Sequence, residues 1–478
     1  MQSAQRCKKS HQQMQFNPSL TADPTIFLEV NSGEFGSKIP NISKGEIDLQ
    51  SIVEILRNAI PFTPHTASEN LKMLSLGISA QKVADNFEFN YSFPFKETKY
   101  IHTENDLNQA ISQYHSLLCK SLERKIKDKT STYLLQSAGK DSTSLAIALA
   151  DVNPGANCIT YQGGNEENET QSAKQICSYL GLKHHSLISN TTRAYSAYLK
   201  RIPRLKSITG DFAFLSYFDI LETISPDSNA VIDGLGSDVY FGAPLSNIQR
   251  LSFFLALGLN LPGSFYRMPL INKSFKACYL LSTLELDKLE RFFPGSRFTV
   301  SEINQLLGNN RTLKLKGRTD LFEEEFSSTS SLVEKRSIAL SILEAGGAFA
   351  KGRFCADSYD MRVIYPFCDD DLASYIKCLP LEFRMIKKTN KVLVRKHIEK
   401  HFINLPYVAS KGSFRFNLVD FAQNSFDQVF TFAESNDDIL PGAKKWLLSN
   451  REHLGNKYFA SKFYLLAIVL PWLSHHKK

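Results

Sequence analysis

No apolar run in the 478 residues approaches the roughly 18–20 needed to cross a bilayer. The longest, around Leu251–Leu261 and Phe463–Leu473, stop well short. The start, Met1-Gln2-Ser3-Ala4-Gln5-Arg6-Cys7-Lys8-Lys9, lacks the apolar middle of a secretory signal, so the cytoplasm is the expected compartment. The eight cysteines (7, 119, 158, 177, 278, 355, 368 and 378) contain no CxxC pair. That argues against a cysteine-built zinc site or a disulfide framework and for buried free thiols. Long blocks of like charge are missing too. A balance of 56 basic to 48 acidic residues leaves a net +8, spread along the chain apart from small clusters at Lys8-Lys9 and His475–Lys478, and indicates no nucleic-acid partner. Internal repeats and low-complexity tracts are absent. What remains is 43% hydrophobic with 34 Phe and 18 Tyr, a globular balance in a chain long enough for two or three domains.

Two regions are predicted. Residues 1–102 read as a small, incomplete α+β unit. Its first 25 residues are polar, Thr25–Val30 and Phe87–Phe93 alternate like strands, and Asp48–Leu56 carries apolar residues at helical spacing. Residues 103–478 change to alternating helices and strands with a helical C-terminal part. Asp106–Ile126 is an amphipathic helix, Thr132–Gln136 a buried strand, and Ser142–Leu149 a helix. Strand Asn157–Tyr161, helix Glu169–Leu180 and strand Ala230–Asp233 follow. This order predicts an α/β fold, a parallel sheet with helices on both faces. Residues 245–350 read as mostly helical and chemically uninformative.

The most specific feature is the turn Gln136-Ser137-Ala138-Gly139-Lys140-Asp141-Ser142-Thr143 between the first strand of this region and its helix. Small residues let backbone N–H groups approach a polyphosphate, and a helix N-terminus adds positive potential. Ser137, Ser142 and Thr143 add hydroxyls, and Asp141 offers an oxygen ligand for Mg²⁺. The competing reading is an ordinary helix cap by Asp141 or Ser142. A P-loop is excluded because Asp141 follows Gly139-Lys140, and a dinucleotide fingerprint fails because Val239 stands where Gly234-x-Gly236 would need its third glycine. Asp141 and Asp238 each follow a predicted parallel strand, where two carboxylates can converge on Mg²⁺ bound to ATP phosphates.

The turn resembles the PP-loop, S-G-G-x-D-S, of the N-type ATP pyrophosphatases, and four further stretches narrow the resemblance to the asparagine synthetase family. Gly234-Leu235-Gly236-Ser237-Asp238-Val239-Tyr240-Phe241-Gly242 is similar to G-E-G-S-D-E-x-F-G. Glu169–His185 resembles the family's helix and its "LG…HH". Arg362-Val363-Ile364-Tyr365-Pro366-Phe367-Cys368-Asp369 is similar to R-V-P-F-L-D. Lys391 and Arg395 match K-x-x-L-R, and Lys411-Gly412-Ser413-Phe414 matches K-x-G-F. Together these cover roughly residues 105–420.

The resemblance implies an adenine nucleotide alpha hydrolase-like fold, and a ligase that adenylates a small-molecule or peptide carboxylate with ATP and Mg²⁺ and passes it to an amine, releasing pyrophosphate and AMP. Ser137–Thr143 with Gly234, Gly236 and Ser237 would hold the nucleotide, and Asp141 and Asp238 the metal. Lys411 would stabilise the pyrophosphate or a tetrahedral intermediate, and Asp360 would orient the amine or the adenylate.

The pattern departs in three ways. Residue 2 is Gln where glutamine-dependent members carry a nucleophilic Cys, so residues 1–102 are expected to be a truncated glutaminase-like remnant and the amine to come from solution or a separate partner. Ala138 replaces a Gly, which requires negative φ there. Leu235 and Val239 replace two Glu, so the substrate is expected to differ from aspartate. An intramolecular amide-forming cyclase, as in β-lactam synthetases and lasso-peptide cyclases, and a non-catalytic nucleotide binder remain the alternatives. PP-loop thiolases would predict paired catalytic Cys or a zinc cluster.

Overall fold

The computed structural model describes residues 15–16, 18, 23–42, 46–84, 86–94, 106–126, 131–163, 167–245, 250, 257–259, 261–293, 297–308, 318–386, 389–402 and 416–477. The N-terminal part forms two small antiparallel sheets. Strands β1 (Gln15–Phe16), β5 (Ile78–Val83) and β6 (Asn86–Tyr91) make one, and β2 (Thr25–Glu29), β3 (Phe35–Gly36) and β4 (Leu71–Ser75) the other. Between β3 and β4 in the chain comes α1 (Leu49–Asn58), capped by the Asp48 side chain, which accepts from the Ser51 amide, and closed by left-handed Ala59.

This part shares the core of the rest. Phe27, Ile52 and Leu56 sit in one continuous apolar cluster with residues of the large sheet and the C-terminal helices. Buried Arg57 of α1 crosses to Glu290, with Nε–Oε1 3.0 Å and Nη2–Oε2 2.9 Å, and also donates to the Phe298 carbonyl. A buried guanidinium is tolerable only when its donors are met in this way.

The central sheet has five parallel strands in the order β11 (Arg362–Ile364), β10 (Ala230–Ile232), β7 (Thr132–Leu135), β8 (Asn157–Gln162) and β9 (Lys183–Ile188). Helix α2 (Leu107–Lys125) packs on α3 (Lys140–Val152), which joins β7 to β8, and α4 (Glu167–Tyr179) packs on β8 and β9. Helices α5 (Thr191–Arg201) and α6 (Phe214–Ile224) bring the chain from β9 back past β7 to β10. Crossovers run in opposite directions from β7, and with the near-universal right hand of such connections this puts helices on both faces, as predicted. They also make the β7/β10 boundary the point where strand order reverses, and ligands bind outside the carboxyl ends of strands at such a point. Among the described residues no helix is long and apolar enough to cross a membrane, and the seven described cysteines are free and mostly buried.

Candidate active site

The loop after β7 is tied by its own side chains. The Ser142 hydroxyl accepts from the Ser137 amide at 3.2 Å, meets Ser137 Oγ at 3.1 Å and donates to the Gly139 carbonyl at 3.2 Å. Ser142 therefore ties the loop to itself. Helix α3 starts at Lys140, two residues before the predicted Ser142, with extended Gly139 as N-cap and no side-chain cap bond. Asp141 is consequently not a cap. The first helical bond is Thr143 N to Gly139 O, so the amides of Lys140, Asp141 and Ser142 precede it at the positive end of the helix. Ala138 corrects another expectation: it is left-handed, at φ 51°, and fully buried. The loop keeps the turn that a glycine would favour and carries the strain in a methyl-bearing residue.

The second loop follows β10. Gly234 lies against the first, where a Cβ would meet Leu145, Asp141 and the Ser142 amide. Gly236 has φ 92°, and a Cβ there would fall 2.4 Å from Cys368 Sγ, so glycine is required on both counts. Gly236 caps the short helix α7 (Ser237–Phe241), which leaves the Asp238 carboxylate free as well.

The two carboxylates converge on one cation. Lys391 Nζ lies 2.7 Å from Asp141 Oδ2 and 2.8 Å from Asp238 Oδ1, and it donates to Ser237 Oγ at 2.8 Å. Lys391 is left-handed (φ 56°) at the start of helix Val392–His401, its side chain 1% exposed, while the carboxylates are 26% and 45% exposed. Burial alone would lower the lysine pKa, but Asp141 and Asp238 outweigh it and hold the ammonium above its ordinary value. Burial, then Lys391, push Lys140 the other way, below the usual lysine range.

Several polar atoms around this point are buried and have no hydrogen-bond partner among the described residues: both amide atoms of Gln136, Asp141 Oδ1, Thr143 Oγ1, Arg336 Nε and Glu344 Oε2. Orphans of this kind are rare in folded proteins; others lie elsewhere in the fold, at Ser216, Asn272 and Tyr458 for example, but these six belong to the two loops and to side chains that interact electrostatically with Asp238. Oxygen ligands with an unused lone pair suit a hard cation such as Mg²⁺, so Asp141 and Asp238 fit it by donor chemistry.

Glu344 and Arg336 come from the stretch read as uninformative. Helix Leu332–Leu343 runs into a π-helical segment, Glu344–Phe349, an arrangement frequent at functional sites. Burial, then the Asp238 carboxylate, push Glu344 up to about 8. Deeper in, Tyr217 donates to Asp233, whose carboxyl burial raises, and Lys351 pairs with Asp211 at 3.3 Å.

One predicted residue does not join the site. Asp360 precedes β11, at the amino end of the sheet, where it is 74% exposed and pairs with Arg204 at 2.5 Å. The whole strand separates it from the loops, roughly 10 Å or more at about 3.3 Å per residue, so its catalytic assignment is withdrawn. Lys411 lies outside the described residues. Lys391 matches K-x-x-L-R, yet its place between the two carboxylates is missed by sequence reasoning. The signal for Glu344 was an acid followed by Gly346-Gly347 inside an apolar helical pattern, where paired glycines cost helix stability and so call for a reason.

Fold and site define a PP-loop α/β protein, with its PP-loop at the strand-order reversal of a parallel sheet. The asparagine synthase family description matches residues 113–407, and the chain belongs to that family. Membership supports ATP-dependent carbon–nitrogen ligation in general terms. No curated protein matches significantly. Among solved structures, the U34-tRNA thiolase NcsA from Methanococcus maripaludis with its 4Fe-4S cluster is 17% identical, over 49% of this chain and 79% of that one, with a TM-score of 0.22. The NH3-dependent NAD synthetase from Campylobacter jejuni is 14% identical, over 51% and 96%, also at 0.22. Likenesses at these scores carry no functional information.

Proposed function

We propose that the protein is an AMP- and pyrophosphate-forming amide ligase that adenylates a carboxylate and transfers it to an amine. The observation that supports this most is the convergence of Asp141 and Asp238 on one cation position at the carboxyl ends of adjacent parallel strands. The amides opening α3 take the phosphates. Mg²⁺, held by Asp141 and Asp238, would neutralise phosphate charge, which is the main barrier when a carboxylate approaches the α-phosphorus. Lys391 keeps the two acids together and adds a second positive charge. Leu235 and Val239 remove two acids from this wall, and Arg336, whose Nε has no partner among the described residues, interacts electrostatically with Asp238, so a carboxylate substrate finds a cation there. Glu344, whose Oε2 has no partner among the described residues, accepts the proton that the attacking amine releases once its carboxyl is ionised, so the amine step quickens as pH rises toward about 8.

The test is exchange of radiolabelled pyrophosphate into ATP with a panel of amino-acid carboxylates, using hydroxylamine as the trapping amine. The expected result is exchange and hydroxamate formation that disappear in Asp238→Ala. Nucleotide binding without exchange for any carboxylate would favour a binder, and ADP formation would refute adenylation.

A further inference from the structure

Away from the nucleotide loops, three imidazoles from two helices meet. His115 lies on α2, and His397 and His401 lie one turn apart on helix Val392–His401, so both face the same side. Their ring centroids are 4.9–5.1 Å apart, and one nitrogen from each lies within 4.8 Å of the others. His115 Nδ1 is 2.9 Å from His397 Nε2.

The outward nitrogens are already held. His115 Nε2 is 2.9 Å from Asp151 Oδ2 at the end of α3, and His397 Nδ1 is 3.0 Å from Ser144 Oγ, itself bonded to Tyr114. An ionised carboxylate only accepts, so His115 carries its proton on Nε2 and presents a lone pair on Nδ1 to the cluster. Ser144 serves as donor or acceptor and leaves His397 Nε2 able to do the same. An inward lone pair with an outward nitrogen fixed by an oxygen is how protein metal sites orient histidine.

We propose that His115, His397 and His401 bind a zinc ion, with a fourth position open to water. Three imidazoles suit a borderline divalent ion rather than Mg²⁺ or Ca²⁺. Bonds of 2.0–2.1 Å in tetrahedral geometry place ligand nitrogens about 3.4 Å apart, so the pair at 2.9 Å opens by a few tenths of an ångström. Exposed His401 and half-buried His115 have room for that adjustment. A second set, His115, Cys119 and Asp151, shares His115 but uses the nitrogen that Asp151 already occupies. The site is separate from the nucleotide loops: Asp151 stands ten residues beyond Asp141 on α3, and His401 ten beyond Lys391, about 15 Å in each case. Zinc would clamp α2 and α3 to the helix that delivers Lys391.

The full chain, stripped with EDTA, is titrated with zinc alone against a chromophoric indicator, and with Co²⁺ followed by absorption. One tightly held ion per chain is expected, with a tetrahedral cobalt spectrum free of a thiolate band and a zinc-dependent rise in melting temperature. His401→Ala, at an exposed position that leaves the fold intact, should abolish all three, and Asp151→Asn should weaken binding roughly 10–100-fold. No stoichiometric binding overturns the proposal, as does binding that survives His401→Ala. So does binding lost in Cys119→Ser but kept in His401→Ala, which would assign the ion to the second set.

Discussion

At the scale of single residues the site is organised by Lys391. Without it, two carboxylates aimed at one point would repel each other. With it, a fully desolvated ammonium is repaid by three close acceptors. Glu344 is the opposite case, an acid with no cation in contact among the described residues, and its carboxyl keeps its proton to about 8 while the free side chain releases it near 4.5. A folded-state pKa raised in this way contributes stability that is complete below about 4.5 and is lost as pH climbs through about 8. Glu344→Gln, a permanent mimic of the protonated form, should match the native chain in urea unfolding near the acid end of that window and exceed it by roughly 1–3 kcal/mol above pH 8. An equal difference at both ends would mean that Glu344 does not titrate there. Neither residue's role was legible in the sequence. Lys391 acts through a fold that brings position 391 to 141 and 238, and an isolated acid in an apolar helix gives no hint of what it faces.

At the scale of elements, the strands and helices that frame the first loop were readable because their cores are short apolar runs between polar turns. β7, β8 and β10 begin where expected, and α1, α2 and α4 fall within two residues of prediction. β9 and β11 were not read as strands. β9 is largely solvent-facing and polar, Lys183-His184-His185-Ser186, and β11 has only three residues inside a motif. That omission explains the error at Asp360: matched by motif spacing, it is placed by β11 at the wrong end of the sheet. The loop before α3 kept its left-handed turn despite Ala138. Ala138→Gly should relieve a strain of about 1–2 kcal/mol against a glycine entropy cost of up to about 1 kcal/mol. A net gain of about 0.5–1 kcal/mol in urea unfolding is expected, and a loss would show that the buried methyl packs better than the turn is strained.

At the scale of the whole molecule, the site exists only because distant segments meet: 137–143, 234–238, 336–344 and 391 come from four parts of the chain. The N-terminal part takes part in this closure. A Cβ on Gly346, in the π-helical segment that begins with Glu344, would fall 2.4 Å from the Pro61 carbonyl, so the segment's path is set by what packs behind it. The parallel sheet and the pairing of Asp141 with Asp238 were legible from strand order and loop chemistry, whereas the wall opposite them is a product of long-range packing. The central claim, that these two carboxylates hold one metal at ATP, is tested most directly by a double-mutant cycle on Mg²⁺-dependent ATP affinity, measured by calorimetry for Asp141→Asn, Asp238→Asn and the pair. The account predicts that either change removes most of the Mg²⁺ dependence and that the double variant loses less than the sum, by roughly 1 kcal/mol or more. Costs that simply add, within about 0.3–0.5 kcal/mol, would mean that the two side chains do not share an ion.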